Sequence, residues 1–250
     1  MSITKAVLIT GGMSDIGRAI ATAFAQENYA VALNYRHNPA EAEAFASALI
    51  KQGKAPHAIT VQGDIRLRND ISNLFDHVYR EFGRVDVLIN NAGINCDNTF
   101  TEMSDDEWET VISTILTGTF RCSQEFARRN RHSTGNIINI GAVTAVKGRK
   151  NGANYCSARA GVLTLTRCMA LELAPGIRVN AVTPGRIDTK ELQERYQLNQ
   201  PGKRTLFEQD IPLARLGTPE DIARMILFLV APEQYITGQN FFVDGGLFMH

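Results

Sequence analysis

Short apolar runs rich in β-branched residues alternate along this chain with longer stretches in which apolar positions recur every three or four residues. The runs are AVLIT at 6–10, AVALN at 30–34, HAITV at 57–61, VDVLIN at 85–90, NIINI at 136–140, IRVNAV at 177–182 and NFFVD at 240–244. Helical periodicity falls near 16–27, 40–52, 67–82, 105–130, 153–174 and 219–230. This rhythm predicts an α/β fold: one doubly wound parallel sheet of about seven strands with helices on both faces. No repeat, low-complexity run or linker divides the sequence, so residues 1–250 are expected to form a single domain. The one long irregular stretch, about 185–215, follows the sixth strand. Ligands in such folds sit beyond the carboxyl ends of the strands, so this stretch is a candidate substrate lid.

Composition narrows the function classes. A 250-residue chain with 44% hydrophobic content can bury a substantial core. Lys+Arg and Asp+Glu both number 26, so no global field draws the protein to nucleic acid or to an anionic membrane. The N-terminus passes directly into a strand-like run without a signal-peptide pattern, and no apolar run approaches the ~20 residues of a membrane span. A cytoplasmic location is expected. Cys96, Cys122, Cys156 and Cys168 are scattered without metal-ligand spacing, so no metal site is expected.

Candidate chemistry begins at VLITGGMSDIGRAIATAF, which sets glycines between the first strand and a helix, where bare backbone can approach a pyrophosphate. Arg36 stands just past the second strand, where a guanidinium can clamp a 2′-phosphate. Asp64 and Ile65 follow the third strand, and Asn91, Ala92 and Gly93 end the fourth.

With NNAGINCDN, LTGTF, RVNAVTPGRIDT, IPLARLGTPEDIA and ITGQNFFVDGG added in that order, the chain resembles the short-chain dehydrogenase/reductase family over essentially its whole length, and within it the 3-oxoacyl-acyl-carrier-protein reductases. The resemblance implies a Rossmann-type sheet, an NAD(P)(H) cofactor, with NADP(H) the expectation here, a dimer or tetramer, and hydride transfer between nicotinamide and a carbonyl or alcohol. It assigns cofactor contacts to Thr10, Gly11, Ile16, Gly17, Arg36, Asp64, Ile65, Asn91, Ala92, Gly93, Pro184, Gly185, Ile187 and Thr189. The family's TGxxxGxG signature is met at Thr10, Gly11 and Gly17, but Asp15 replaces its middle glycine. A carboxylate ~5 Å from one pyrophosphate charge costs about 3 kcal/mol at an effective dielectric of ~20, so weakened cofactor binding is expected. Asp15 also reads as an N-cap of the first helix, its carboxylate occupying the anion site itself.

The resemblance further implies a catalytic asparagine, serine, tyrosine and lysine. Tyr155 matches the tyrosine, but Arg159 holds the lysine position, Ala142 the serine position and Ile115 the asparagine position. Tyr155 and Arg159 are i and i+4 on a helix and can share a face. The fixed charge of Arg159 can stabilise a phenolate, yet a guanidinium neither relays a proton nor reproduces an ammonium's contacts with ribose hydroxyls. Nearby hydroxyls, Thr144 and Thr114, stand off the family positions. A Tyr-x-x-x-Arg pair also occurs in the similar halohydrin dehalogenases, which keep the serine and abandon the glycine signature, nearly the reverse of this chain.

Three readings follow. The first is a degenerate ketoacyl-reductase-like subunit, weak or inactive alone, that assembles with itself or with an intact paralogue. The second is an active NAD(P)H-dependent carbonyl reductase using Tyr155 and Arg159, and the third a non-redox lyase or binding protein. The helices at 105–130 and 153–174 carry Ile112, Ile115, Leu116, Val162, Leu165 and Met169 as a buried face, expected to serve both partner helices and the chain's own sheet. Arg128, Arg129 and Arg131, expected near the active-site mouth, are a candidate dock for an acyl carrier protein or, equally, a solvated helix terminus complementing its dipole.

Overall fold

The computed structural model describes residues 5–53, 55–232 and 234–249. Seven strands form one parallel sheet: β1 (Ala6–Ile9), β2 (Ala30–Tyr35), β3 (Ala58–Gln62), β4 (Val87–Asn90), β5 (Gly135–Ile140), β6 (Ile177–Pro184) and β7 (Asn240–Val243). Their order is β3-β2-β1-β4-β5-β6-β7, as expected of a doubly wound fold. The direction of winding reverses between β1 and β4, and the crevice outside the strand ends at that point is where such sheets hold ligands.

The central strands are apolar at consecutive positions because both faces of the sheet are covered. Side chains alternate between faces: Val7, Ile9, Val31, Leu33, Ile138 and Ile140 join one core, whereas Leu8, Ala32, Leu88, Ile137 and Val179 join the other. Helices α1 (Asp15–Gln26) and α10 (Pro219–Val230) close the first core through Ile20, Phe24, Ile222 and Ile226. Helix α2 (Pro39–Lys51) packs against β2 and β3 and adds Ala46 and Leu49 to that core. Helices α3 (Arg68–Phe82) and α5 (Gly118–Arg129) close the second through Phe75, Val78 and Phe126.

The expected helix at 105–130 is three pieces: α4 (Asp105–Ile112), a π-helical turn (Ser113–Thr117) and α5. The break has a local cause. The hydroxyls of Ser113 and Thr114 both donate to the Thr110 carbonyl, at 3.2 and 2.7 Å, competing with the helical ladder for its acceptor. The stretch expected to be irregular holds two short helices, α8 (Lys190–Tyr196) and α9 (Lys203–Gln209), which with Leu198, Ile211 and Leu216 form a small apolar cluster of their own. Between β5 and β6 lie α6 (Thr144–Lys147) and the long α7 (Ala153–Leu173).

A buried polar chain fixes α7 to the sheet. Asn90 donates to Ser123 at 2.9 Å and to Asn139 at 2.8 Å; Asn139 donates to the Thr166 hydroxyl, itself bonded to the Val162 carbonyl. Each group is satisfied, so the network specifies one placement of α7 against β4 and β5. No helix among the described residues is long and apolar enough to cross a membrane.

Candidate active site

A cleft of about 870 Å3 opens at the carboxyl ends of β1, β4, β5 and β6, within the size range of cofactor pockets. Its rim begins at the glycine-rich turn. Gly11 has φ +59°, and a Cβ there would lie 2.7 Å from the Ala92 Cα. Gly17 is equally constrained, since its Cβ would stand 2.6 Å from the Gly11 carbonyl oxygen. Thr10 and Asn91 lock the turn to β4: the Thr10 hydroxyl accepts from the Asn91 and Ala92 amides, and Asn91 Nδ2 donates to the Thr10 and Gly11 carbonyls at 3.0 and 2.8 Å. Ile16, half-buried, lines the cleft and packs on the first core.

The N-cap expected at Asp15 is Ser14, whose hydroxyl accepts from the Gly17 amide at 3.1 Å. Serine is as good a cap and stands one residue earlier, so Asp15 becomes the first helical residue with its carboxylate free to reach outward. Asp15 Oδ2 accepts from the Lys190 amide at 2.7 Å, in the first turn of α8. The carboxylate thus joins the glycine-rich turn to the expected lid. A second clasp stands at the other end of α8, where Asp97 pairs with Arg195 at 3.1 Å and with Arg149 at 2.7 Å.

At the far end of the cleft Arg36 lies 4.0 Å from Asp64 and is well exposed. Asp64 is held by Arg66 through its backbone amide and a two-pronged side-chain contact of 2.6–3.0 Å. Partial burial works against the Asp64 carboxylate, but the Arg66 hydrogen bonds and the charges of Arg66 and Arg36 hold it below the ordinary aspartate range. Ile65 is buried in the second core and fills the space beside Gly118. On the opposite rim Gly185 accommodates Asp244, Ile187 is buried beside Gly217, and the Thr189 hydroxyl caps α8 by accepting from the Leu192 amide. Pro184 ends β6 at the cleft wall. Thr10, Ile65, Ile187 and Thr189 thus perform structural tasks that the sequence did not disclose.

At the inner end, Tyr155 and Arg159 line the cleft from one face of α7, with the guanidinium carbon 5.3 Å from the tyrosine ring centroid. Arg149 meets the same ring at 5.2 Å. Sequence reading missed Arg149: six residues before Tyr155 and in no motif, it gave no signal beyond its charge. Arg159 is 5% exposed; its Nη1 donates to the Ile140 carbonyl at 2.6 Å, its Nε is buried without a partner, and no carboxylate pairs with it among the described residues. A Cβ on Gly93 would collide with its Nη2, so glycine at 93 makes room for the guanidinium. Ala142 presents only a methyl group. Ile115 is fully buried in the π-helical turn with Val111, Ala158 and Val162, against Tyr155. Thr114 spends its hydroxyl on Thr110, and Thr144 opens α6 at the cleft wall.

The arginine cluster at 128–131 stands elsewhere than expected. Helix α5 runs back toward the start of β5, placing the cluster at the amino edge of the sheet, opposite the cleft, where Arg129 pairs with Asp76 and Glu125 at 2.7 Å each. The apolar face of these helices makes the contact expected of it within the chain: Ile115 and Val162 are buried, while Ile112, Leu116 and Met169 pack against its cores. Phe120 and Leu171 remain exposed on α5 and α7, at 40% and 84%.

The fit of Arg159 against Gly93 yields a test. Gly93→Ala should cost about 1–3 kcal/mol by overpacking, and clearly less in an Arg159→Ala background. Additive costs in urea unfolding of the two single variants and the double variant would place the guanidinium away from Gly93.

Comparison with known proteins agrees with this architecture. A family model described as enoyl-(acyl carrier protein) reductase matches residues 11–248. A 3-oxoacyl-acyl-carrier-protein reductase of Staphylococcus aureus is 39% identical over 252 residues, covering 100% of both chains. One from Synechocystis is 38% identical, covering 98% of this chain and 97% of its own. The crystal structure of a short chain dehydrogenase from Bacillus anthracis superposes with a TM-score of 0.86 at 35% identity, over 98% of this chain and 97% of that one. With its sheet order, cleft and glycine-rich turn, the chain belongs to the short-chain dehydrogenase/reductase family.

Proposed function

We propose that this protein is a 3-oxoacyl-thioester reductase-like member of the family with a dismantled catalytic set, weak or inactive alone, serving as a cytoplasmic subunit of a homo-oligomeric reductase or of one formed with an intact paralogue. The observation that carries this reading is the environment of Arg159. Where the family implies a mobile ammonium at the mouth of the reaction, this chain has a guanidinium buried against the Ile140 carbonyl. Ala142 offers no hydroxyl to steady a substrate oxygen, a type of loss that costs about 10²–10³ in rate at comparable sites. Ile115 fills the proton route with apolar surface.

The residues present suit NADP(H). Lys and Arg outnumber Asp and Glu along the cleft by eight to four, and the exposed guanidinium of Arg36 can meet a 2′-phosphate. When bound, the cofactor supplies the hydride. Asp15 opposes the pyrophosphate and weakens binding, while its bond to Lys190 ties α8 across the cleft. Residues 185–215, with α8 and α9, form the substrate lid in this reading. Its release requires both the Asp15 bond and the Asp97–Arg195 pair to open.

A second reading, an active carbonyl reductase, is favoured by the proximity of Arg159 to Tyr155. There Tyr155 donates the proton, and the nearby fixed charge steadies the phenolate left behind.

Three outcomes follow from the leading reading. The protein alone should reduce a 3-oxoacyl thioester with NADPH at least about 10³-fold more slowly than an intact relative, and the combined changes Ala142→Ser, Arg159→Lys and Ile115→Asn should raise turnover where each alone does little. Full rescue by one change would defeat the joint-loss argument. Asp15→Asn removes the charge but keeps an acceptor for Lys190, so a tightening of NADPH binding by about 10-fold or more would assign the weakness to repulsion. If only Asp15→Gly tightens binding, the latch on α8 is responsible instead. Light scattering at micromolar concentration should give a dimer or tetramer; a monomer would remove the self-assembled form of the model.

A further inference from the structure

Arg159 carries a charge that nothing in the described chain neutralises. Its Nη1 is used by the Ile140 carbonyl, and its Nε is enclosed without a partner. Its Nη2 lies beside Gly93, a lining residue of the cleft, and makes no hydrogen bond among the described residues. The neighbouring cation, Arg149, also has a buried Nε without a partner, but its charge is balanced: Asp97 pairs with it at 2.7 Å, and Asn95 accepts a further bond at 3.2 Å. Four residues before Arg159, Tyr155 faces the same cleft with no side-chain hydrogen bond among the described residues. One unbalanced buried cation and one open hydroxyl therefore converge at the inner end of the cleft.

We propose that this inner end binds the carboxylate of a small organic acid, with one oxygen on Arg159 Nη2 and the other on the Tyr155 hydroxyl. A buried guanidinium without a counter-ion is unfavourable, and a ligand carrying a single negative charge supplies the missing partner. The walls specify what the rest of that ligand is. Ile94, Ala142 and Val143 line this end, so the body of the acid is short and apolar. A phosphate would bring a second charge that this one free guanidinium cannot balance. The proposal concerns binding without nucleotide and therefore stands apart from the reductase reading.

The test uses the full-length protein without nucleotide, titrated at constant ionic strength with sodium acetate, sodium butyrate or sodium chloride. The readout is the side-chain Nε–H resonance of Arg159, assigned by its loss in Arg159→Lys. Acetate should move this resonance saturably, butyrate should bind more tightly than acetate because of the apolar wall, and chloride should have little effect. Arg159→Met should weaken acetate binding, followed by thermal shift, by about 10–100-fold, the range for losing a hydrogen bond to a charged group. Tyr155→Phe should weaken it by a smaller factor, and Arg80→Met, in the exposed last turn of α3 and away from the cleft, should leave it unchanged. Absence of a saturable shift in the wild type would overturn the site even if Arg159→Met fails to fold. Chloride binding as tightly as acetate, or unchanged acetate affinity in Arg159→Met, would overturn its assignment to carboxylates. Failure of thioester reduction would leave these results untouched.

Discussion

Burying a guanidinium costs several kcal/mol unless its charge and donors are met, and the inner end of this cleft is arranged around that constraint. Arg159 rests on a strand-end carbonyl, against a tyrosine ring and over a glycine that lacks the atom that would collide with it. The support reaches outward from there. Ile140 belongs to β5, whose Asn139 is bonded through Thr166 to the helix that carries Arg159. Sheet, helix and cation are thus held in one register, with Tyr155 on the same face of α7 as the guanidinium. A polar network that fixes a helix does not require the chemistry at its end to persist.

Asp15 makes the corresponding change at the nucleotide end. Glycine at that position would leave the turn open to a pyrophosphate; aspartate instead reaches 2.7 Å to the first turn of α8. The aspartate therefore places a negative charge at the glycine-rich turn and ties that turn to α8. With Asp97 gripping Arg195 at the other end of α8, that helix is fastened at both ends by contacts within the chain. In the proposed reading, affinity for the nucleotide and freedom of the lid are linked through one carboxylate, and the two contributions separate only in variants that keep the acceptor while discarding the charge.

All seven strands and most helices could be read from the sequence because a parallel sheet buried on both faces writes continuous apolar runs, and its helices write amphipathic ones. The break between α4 and α5 could not, since the back-bonding of Ser113 and Thr114 leaves hydrophobic periodicity unchanged. The substitutions at 15, 115, 142 and 159 were legible once the family resemblance was drawn; their consequences were only partly so. That Asp15 would leave the capping role to Ser14 and bond a residue 175 positions later is a tertiary fact with no local signature. Arg149 likewise reaches the Tyr155 ring through a loop whose path no pattern specifies. The arginines at 128–131 were misplaced because proximity to the mouth depends on the direction of α5, and a charge cluster says nothing of which end of the sheet it meets.

The central claim is that Tyr155 keeps its place but has lost the partners that made it a working acid. The most direct measurement is steady-state reduction of a 3-oxoacyl thioester by NADPH with the unmodified protein and its Tyr155→Phe variant side by side. The account predicts negligible turnover in both, with no loss on removing the hydroxyl. Ordinary turnover in the unmodified protein, abolished in Tyr155→Phe, would establish a functioning tyrosine–arginine reductase and contradict the account.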